Sequence, residues 1–108
     1  MNAATSTLLY SPLAADPDLS ELVDWFVAEA PERIANLLAA LDRSDWEQVA
    51  RLAHQLKGAA GSYGFDDLSP VAAKLEWTVK SRLPEVEIRR ALADVVEMSQ
   101  RLRAGLPE

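Results

Sequence analysis

At 108 residues, with 49% hydrophobic and 26% charged side chains, the chain has the length and balance of one soluble globular domain with a single core. Its formal net charge of −6 sets the surface against nucleic acid, whose phosphates it would repel. There is no cysteine, which excludes disulfides and thiolate chemistry, and one histidine supplies too few nitrogen ligands for a zinc or iron centre.

The first residues, MNAATSTLLYSPLAADPD, carry neither a basic start nor a sustained apolar run, so no secretory signal or membrane span is expected and the protein is placed in the cytoplasm. Residues 1–17 read as a partly irregular lead-in, with Leu8, Leu9 and Tyr10 able to tuck against the domain. A helical domain is expected over 18–104, and a short tail over 105–108. From Asp18 the apolar residues recur three and four apart: Leu19, Leu22, Val23, Phe26 and Val27, then Ile34, Leu37, Leu38 and Leu41. Pro31 lies between these stripes and predicts a break with little change of direction.

Ser44-Asp45-Trp46-Glu47 has the spacing of a capping box, so a helix is expected from Ser44 to about Tyr63, ended by Gly64 in a left-handed conformation. Asp66 or Asp67 then caps a helix carrying Leu68, Val71, Ala72, Leu75 and Val79, with Pro70 in its first turn. A last helix runs from about Pro84 to Arg103, with Ile88, Leu92, Val95, Val96 and Leu102 inward. No run reads as a strand. The expected fold is all-α: an antiparallel up-down four-helix bundle with an extra short N-terminal helix.

The one histidine, His54, falls within AHQLKGAAGSYGF. Stepping ~100° per residue puts Val49, Leu52, Leu56, Ala59, Ala60 and Tyr63 within roughly 60° of the direction opposite His54, as a core stripe. Glu47, Ala50, Arg51, Lys57, Gly58 and Gly61 share the histidine's side, so His54 is expected to face solvent. Gly58 and Gly61 lie one and two turns beyond it, each costing about 1 kcal/mol against alanine in a helix. On a face without apolar residues, internal close packing explains them poorly; bare backbone that lets a partner approach the imidazole explains them better. Lys57 can stabilise negative charge on a group carried by the ring. The three features together point to phosphoryl chemistry. Trp25, Trp46 and Trp77 read as core or core-edge packing.

The stretch AHQLKGAAGSYGFDDLSPVAAKLE resembles the pattern of histidine-containing phosphotransfer (HPt) domains of bacterial two-component phosphorelays: His54, Lys57-Gly58, Gly61, Gly64, then Leu75-Glu76. The upstream FVAEAPERIANLLAALDRSDWEQVARLAH is similar to the same family, and the likeness covers about residues 19–103. It departs at Ala50, which is smaller than a typical docking hydrophobe. The resemblance implies a four-helix bundle whose His54 is the phosphoacceptor, with Lys57 as charge stabiliser and a docking surface of Glu47, Ala50, Arg51, Gln55, Gly58 and Gly61. The group would come from a receiver-domain aspartate and pass to another, so the protein is a carrier and not an autonomous enzyme. Mg²⁺ is expected on the receiver, with no cofactor on this chain. Its partners would be response-regulator receivers and a hybrid sensor histidine kinase, with neither nucleic acid nor membrane, and the protein a free-standing monomer. The competing reading is a binding-only adaptor that docks receivers or kinases without carrying phosphate, against which the intact His54 and Lys57 argue. A nucleotide-using histidine enzyme is disfavoured because no phosphate-binding glycine loop follows a strand.

Overall fold

A computed structural model describes residues 7–107. Four helices make the molecule: α1 (Ser20–Asp42), α2 (Trp46–Ser62), α3 (Leu68–Lys80) and α4 (Glu85–Ser99), packed as an up-down bundle. Before them come a two-residue strand, β1 (Leu9–Tyr10), and a 3₁₀ turn (Pro12–Ala15); after them comes β2 (Leu102–Arg103). Neighbours in sequence pack side by side, α2 most extensively against α3, and α1 meets α4 less than either meets its neighbour in sequence.

α1 runs unbroken through Pro31, against the expected interruption. A proline here removes one hydrogen bond, to the Val27 carbonyl, but Pro31 is exposed, so water can serve that carbonyl. Ala30 on one side and Leu37 on the other are buried in the same core, and this shared packing holds the two halves in line. Two leucines of the expected stripes turn outward: Leu22 and Leu38 are 46% and 41% exposed. Trp25 and Trp77 are also surface residues, at 50% and 60%; of the core or core-edge packing expected for them, Trp25 keeps an edge contact with Tyr63. Trp46 does pack against the core.

Three helices end alike. At each, the second residue past the helix has positive φ and the third donates back five residues: Asp45 to the Ala40 carbonyl (2.9 Å), Phe65 to Ala60 (2.8 Å) and Leu83 to Thr78 (3.2 Å). Gly64 (φ 83°) ends α2 as expected, but Ser44 (φ 54°) and Arg82 (φ 56°) hold the equivalent positions after α1 and α3. Ser44 is thereby committed to closing α1 and does not cap α2. Asp45 does, its carboxylate accepting from the Gln48 amide at 3.2 Å. Asp67 sits at the start of α3 without a side-chain cap bond.

The fold is all-α as expected, and the short strand pair corrects only the expectation that no run forms a strand. Leu9 pairs in parallel with Leu102 and Tyr10 with Arg103, and α4 stops at Ser99 to allow it. Ser11 follows, 1% exposed, its hydroxyl donating to the Tyr63 carbonyl at 2.6 Å and accepting from the Leu13 amide. The lead-in thus straps the C-terminal end of α2. Phe26, Leu37, Leu56, Leu68, Leu75 and Leu92 are the largest buried side chains. Each contributes about 1.5–3 kcal/mol by leaving water. No helix among the described residues is long and apolar enough to cross a membrane.

Candidate functional site

α2 is anchored by Val49, Ala50, Ala53, Leu56 and Ala60, which are buried, while Leu52, Ala59 and Tyr63 are only partly so. The buried face is therefore turned roughly 60° from the expected stripe, toward α3. His54 remains on the open side with 62% of its side chain exposed. The rotation brings its Nδ1 against the carboxylate of Glu76 on α3, 3.2 Å from Oε1 and 3.1 Å from Oε2.

Glu76 is itself 7% exposed and gathers three partners. Lys80, one turn further along α3, donates to Oε2 at 2.7 Å. Lys57, from α2, places its ammonium 3.5 Å from Oε1. The Lys80 hydrogen bond is the main force on the carboxyl; it outweighs burial, and with help from His54 it brings the pKa down from 4.5 to about 2. Glu76 is therefore ionised at neutral pH and can only accept. A neutral His54 must then carry its proton on Nδ1 and leave Nε2 with a free lone pair, directed away from the carboxylate. A solvent-open ring of fixed tautomer beside two ammonium groups can act as a nucleophile toward an anionic electrophile.

A groove of about 950 Å³ opens beside this cluster, between the first half of α2, the end of α3 and the start of α4. Of the expected docking residues, Glu47, Ala50, Arg51 and Gln55 line it together with His54. Ala50 is a correction as a surface residue: it is 7% exposed, because the rotation of α2 turns it inward to floor the groove. Arg51 pairs with Glu47 at 3.6 Å and is exposed, as is Gln55. Gly58 and Gly61 lie on the other side of His54, outside the groove. A Cβ at Gly58 would meet nothing within 4 Å, and one at Gly61 would make ordinary contact with the Ser69 hydroxyl. Lys57 is 39% exposed and shares Glu76 with the histidine.

The residues that sequence reasoning gave no role are Glu76 and Lys80. Leu75-Glu76 stood in the sequence pattern, and the four-residue spacing of Glu76 and Lys80 signals an ion pair on a helix. Nothing in either stretch says that the pair faces His54. No group of three or more histidine, aspartate or glutamate side chains placed to hold a metal occurs among the described residues.

Neither the curated proteins nor the solved structures compared with the chain gave a match. One family does match, described as Hpt domain, over residues 21–105, which takes in all four helices but for Ser20 and the whole cluster around His54. The chain therefore belongs to the Hpt domain family, and as such it is a phosphocarrier of two-component phosphorelays that works with a receiver-domain partner.

Proposed function

We propose that His54 accepts a phosphoryl group from the aspartyl phosphate of a receiver domain and passes it to the aspartate of a second receiver. The observation that supports this is an exposed imidazole whose Nδ1 is held by an ionised, buried carboxylate. In the forward step the Nε2 lone pair attacks phosphorus, the Nε2–P bond forms, and the P–O bond to aspartate breaks with its electron pair returning to that carboxylate. The ring becomes a cation whose Nδ1–H stays hydrogen-bonded to Glu76, so no proton has to move. In the return step the ring leaves as neutral imidazole. Lys57 turns from Glu76 toward the phosphoryl oxygens, where positioning and charge stabilisation dominate.

The receiver, carrying its own Mg²⁺, docks over Glu47, Arg51, Gln55, Gly58 and Gly61, and the open space at Gly58 favours that close approach. The same reading places the protein in the cytoplasm as a monomer between a hybrid sensor kinase and a response regulator. Incubation with a phosphorylated receiver should label the wild type with an acid-labile phosphate and leave His54→Gln unlabelled. Binding without labelling would leave only an adaptor, and label surviving the substitution would rule out His54 as the acceptor.

A further inference from the structure

We propose that Lys80 is a positioning residue that sets how firmly Glu76 holds the Nδ1 proton of His54, and thereby the lifetime of a phosphoryl group on Nε2. This rests on the phosphocarrier reading and adds a control to the same site. The geometry that carries it is the sharing of one oxygen. Oε2 of Glu76 lies 2.7 Å from the Lys80 ammonium and 3.1 Å from His54 Nδ1, so the two compete for its charge. Lys80 reaches Oε2 from within α3, one turn away, whereas His54 and Lys57 approach from α2. The acceptor and its modulator are thus built on one helix and the ring on another.

Other charges face the cluster. Glu47 and Arg51 of α2, Arg82 of the loop and Glu85 of α4 line the same groove. Arg51 is paired with Glu47, and Glu85 takes Arg89 at 2.7 Å. The lysines at 57 and 80 are the cations in contact with Glu76.

A ring phosphorylated on Nε2 exists in two forms. With Nδ1 protonated, the leaving group is neutral imidazole and the Nε2–P bond breaks readily. With Nδ1 bare, the leaving group would be imidazolate, and a lone pair would face the carboxylate. A carboxylate at full strength favours the protonated, labile form. An ammonium on Oε2 draws on that charge and favours the bare, longer-lived form. In hydrolysis a water oxygen attacks phosphorus, the Nε2–P pair returns to Nε2, the ring keeps its Nδ1 proton, and the water proton leaves with phosphate. Because the Lys80 side chain is 65% exposed, its influence is that of a screened pair, a roughly threefold change in rate.

The test compares wild type with Lys80→Met and Lys80→Arg, and with Lys74→Met, which removes a charge from an exposed part of α3 without touching Glu76. Each is phosphorylated by a phosphorylated receiver and repurified. The ³¹P resonance of the phosphorylated ring is then titrated and phosphate loss timed at pH 8. In Lys80→Met the ring should keep its Nδ1 proton to higher pH and lose phosphate roughly threefold faster, and Lys80→Arg should restore both. Wild-type behaviour of Lys80→Met, or an equal change in Lys74→Met, would overturn the proposal. If wild type itself takes no phosphate on His54, it is the carrier reading that fails. The role of Lys80 is then decided on the bare ring by ¹⁵N spectra, where Lys80→Met should keep the second ring proton to higher pH, and an unchanged titration refutes it.

Discussion

Replacing Glu76 with glutamine keeps the shape of the side chain and removes its charge, which isolates the electrostatic share of the cluster around His54. Glu76 is nearly buried and its pKa falls from 4.5 to about 2 on folding, a difference equivalent to at most ~3 kcal/mol. Its partners Lys80 and His54 have 65% and 62% of their side chains exposed, so solvent screening reduces the expected figure to ~1–2 kcal/mol. A carboxyl whose pKa is lowered on folding stabilises the fold fully above its unfolded value and loses that contribution as pH falls to its folded value. Wild type should therefore exceed Glu76→Gln by ~1–2 kcal/mol at pH 7, with the gap closing between about pH 4.5 and pH 2. Urea unfolding followed by circular dichroism at several pH values measures it. A gap that persists unchanged at pH 2 would mean that packing, and not charge, links Glu76 to stability. No gap at pH 7 would mean that the cluster is held against solvent at no net gain.

Three further expectations follow from the geometry. Gly58→Ala should stabilise the fold by up to ~1 kcal/mol, since the new Cβ meets nothing, while Gly58→Leu should slow transfer from a receiver in single-turnover assays. Lys57→Ala should leave the bundle folded and receiver affinity largely intact yet slow transfer within the complex; lost affinity with an unchanged rate would make Lys57 a docking residue. Arg82→Gly should raise stability by about 1 kcal/mol by relieving a left-handed backbone in a non-glycine residue, read as a shift in the urea midpoint.

The helical periods of the sequence carried most of the architecture, and the exposure of His54 followed from them directly. What they misjudged was the rotation of α2. Ala50 and Ala53 are small, so they weigh little in an amphipathic pattern, yet they let α3 pack closely and become buried. Leu52, which weighs heavily, is left partly open. That same rotation produces the His54–Glu76 contact, so the central hydrogen bond of the site depends on tertiary packing that no local period encodes. Ser44 illustrates a second limit: Ser44 and Asp45 are both good capping residues, and the choice between them depends on how α1 ends. Trp25 illustrates a third, since an aromatic ring half-open to solvent can still rest edge-on against Tyr63, with ring centroids 6.2 Å apart.

The strap formed by β1, β2 and Ser11 also bears on the order in which the molecule assembles. Helical hairpins bring together residues close in sequence and form early, whereas Leu9 and Leu102 stand at opposite ends of the chain, and closing so long a loop is favourable only once the bundle exists. The strap is therefore expected to be absent from the folding transition state. Loosening it with Ser11→Ala, which removes the bond to the Tyr63 carbonyl, should speed unfolding in stopped-flow experiments and leave the folding rate unchanged. The lead-in then acts as a latch on kinetic lifetime: it closes last, opens first, and keeps the end of the histidine helix from fraying in between.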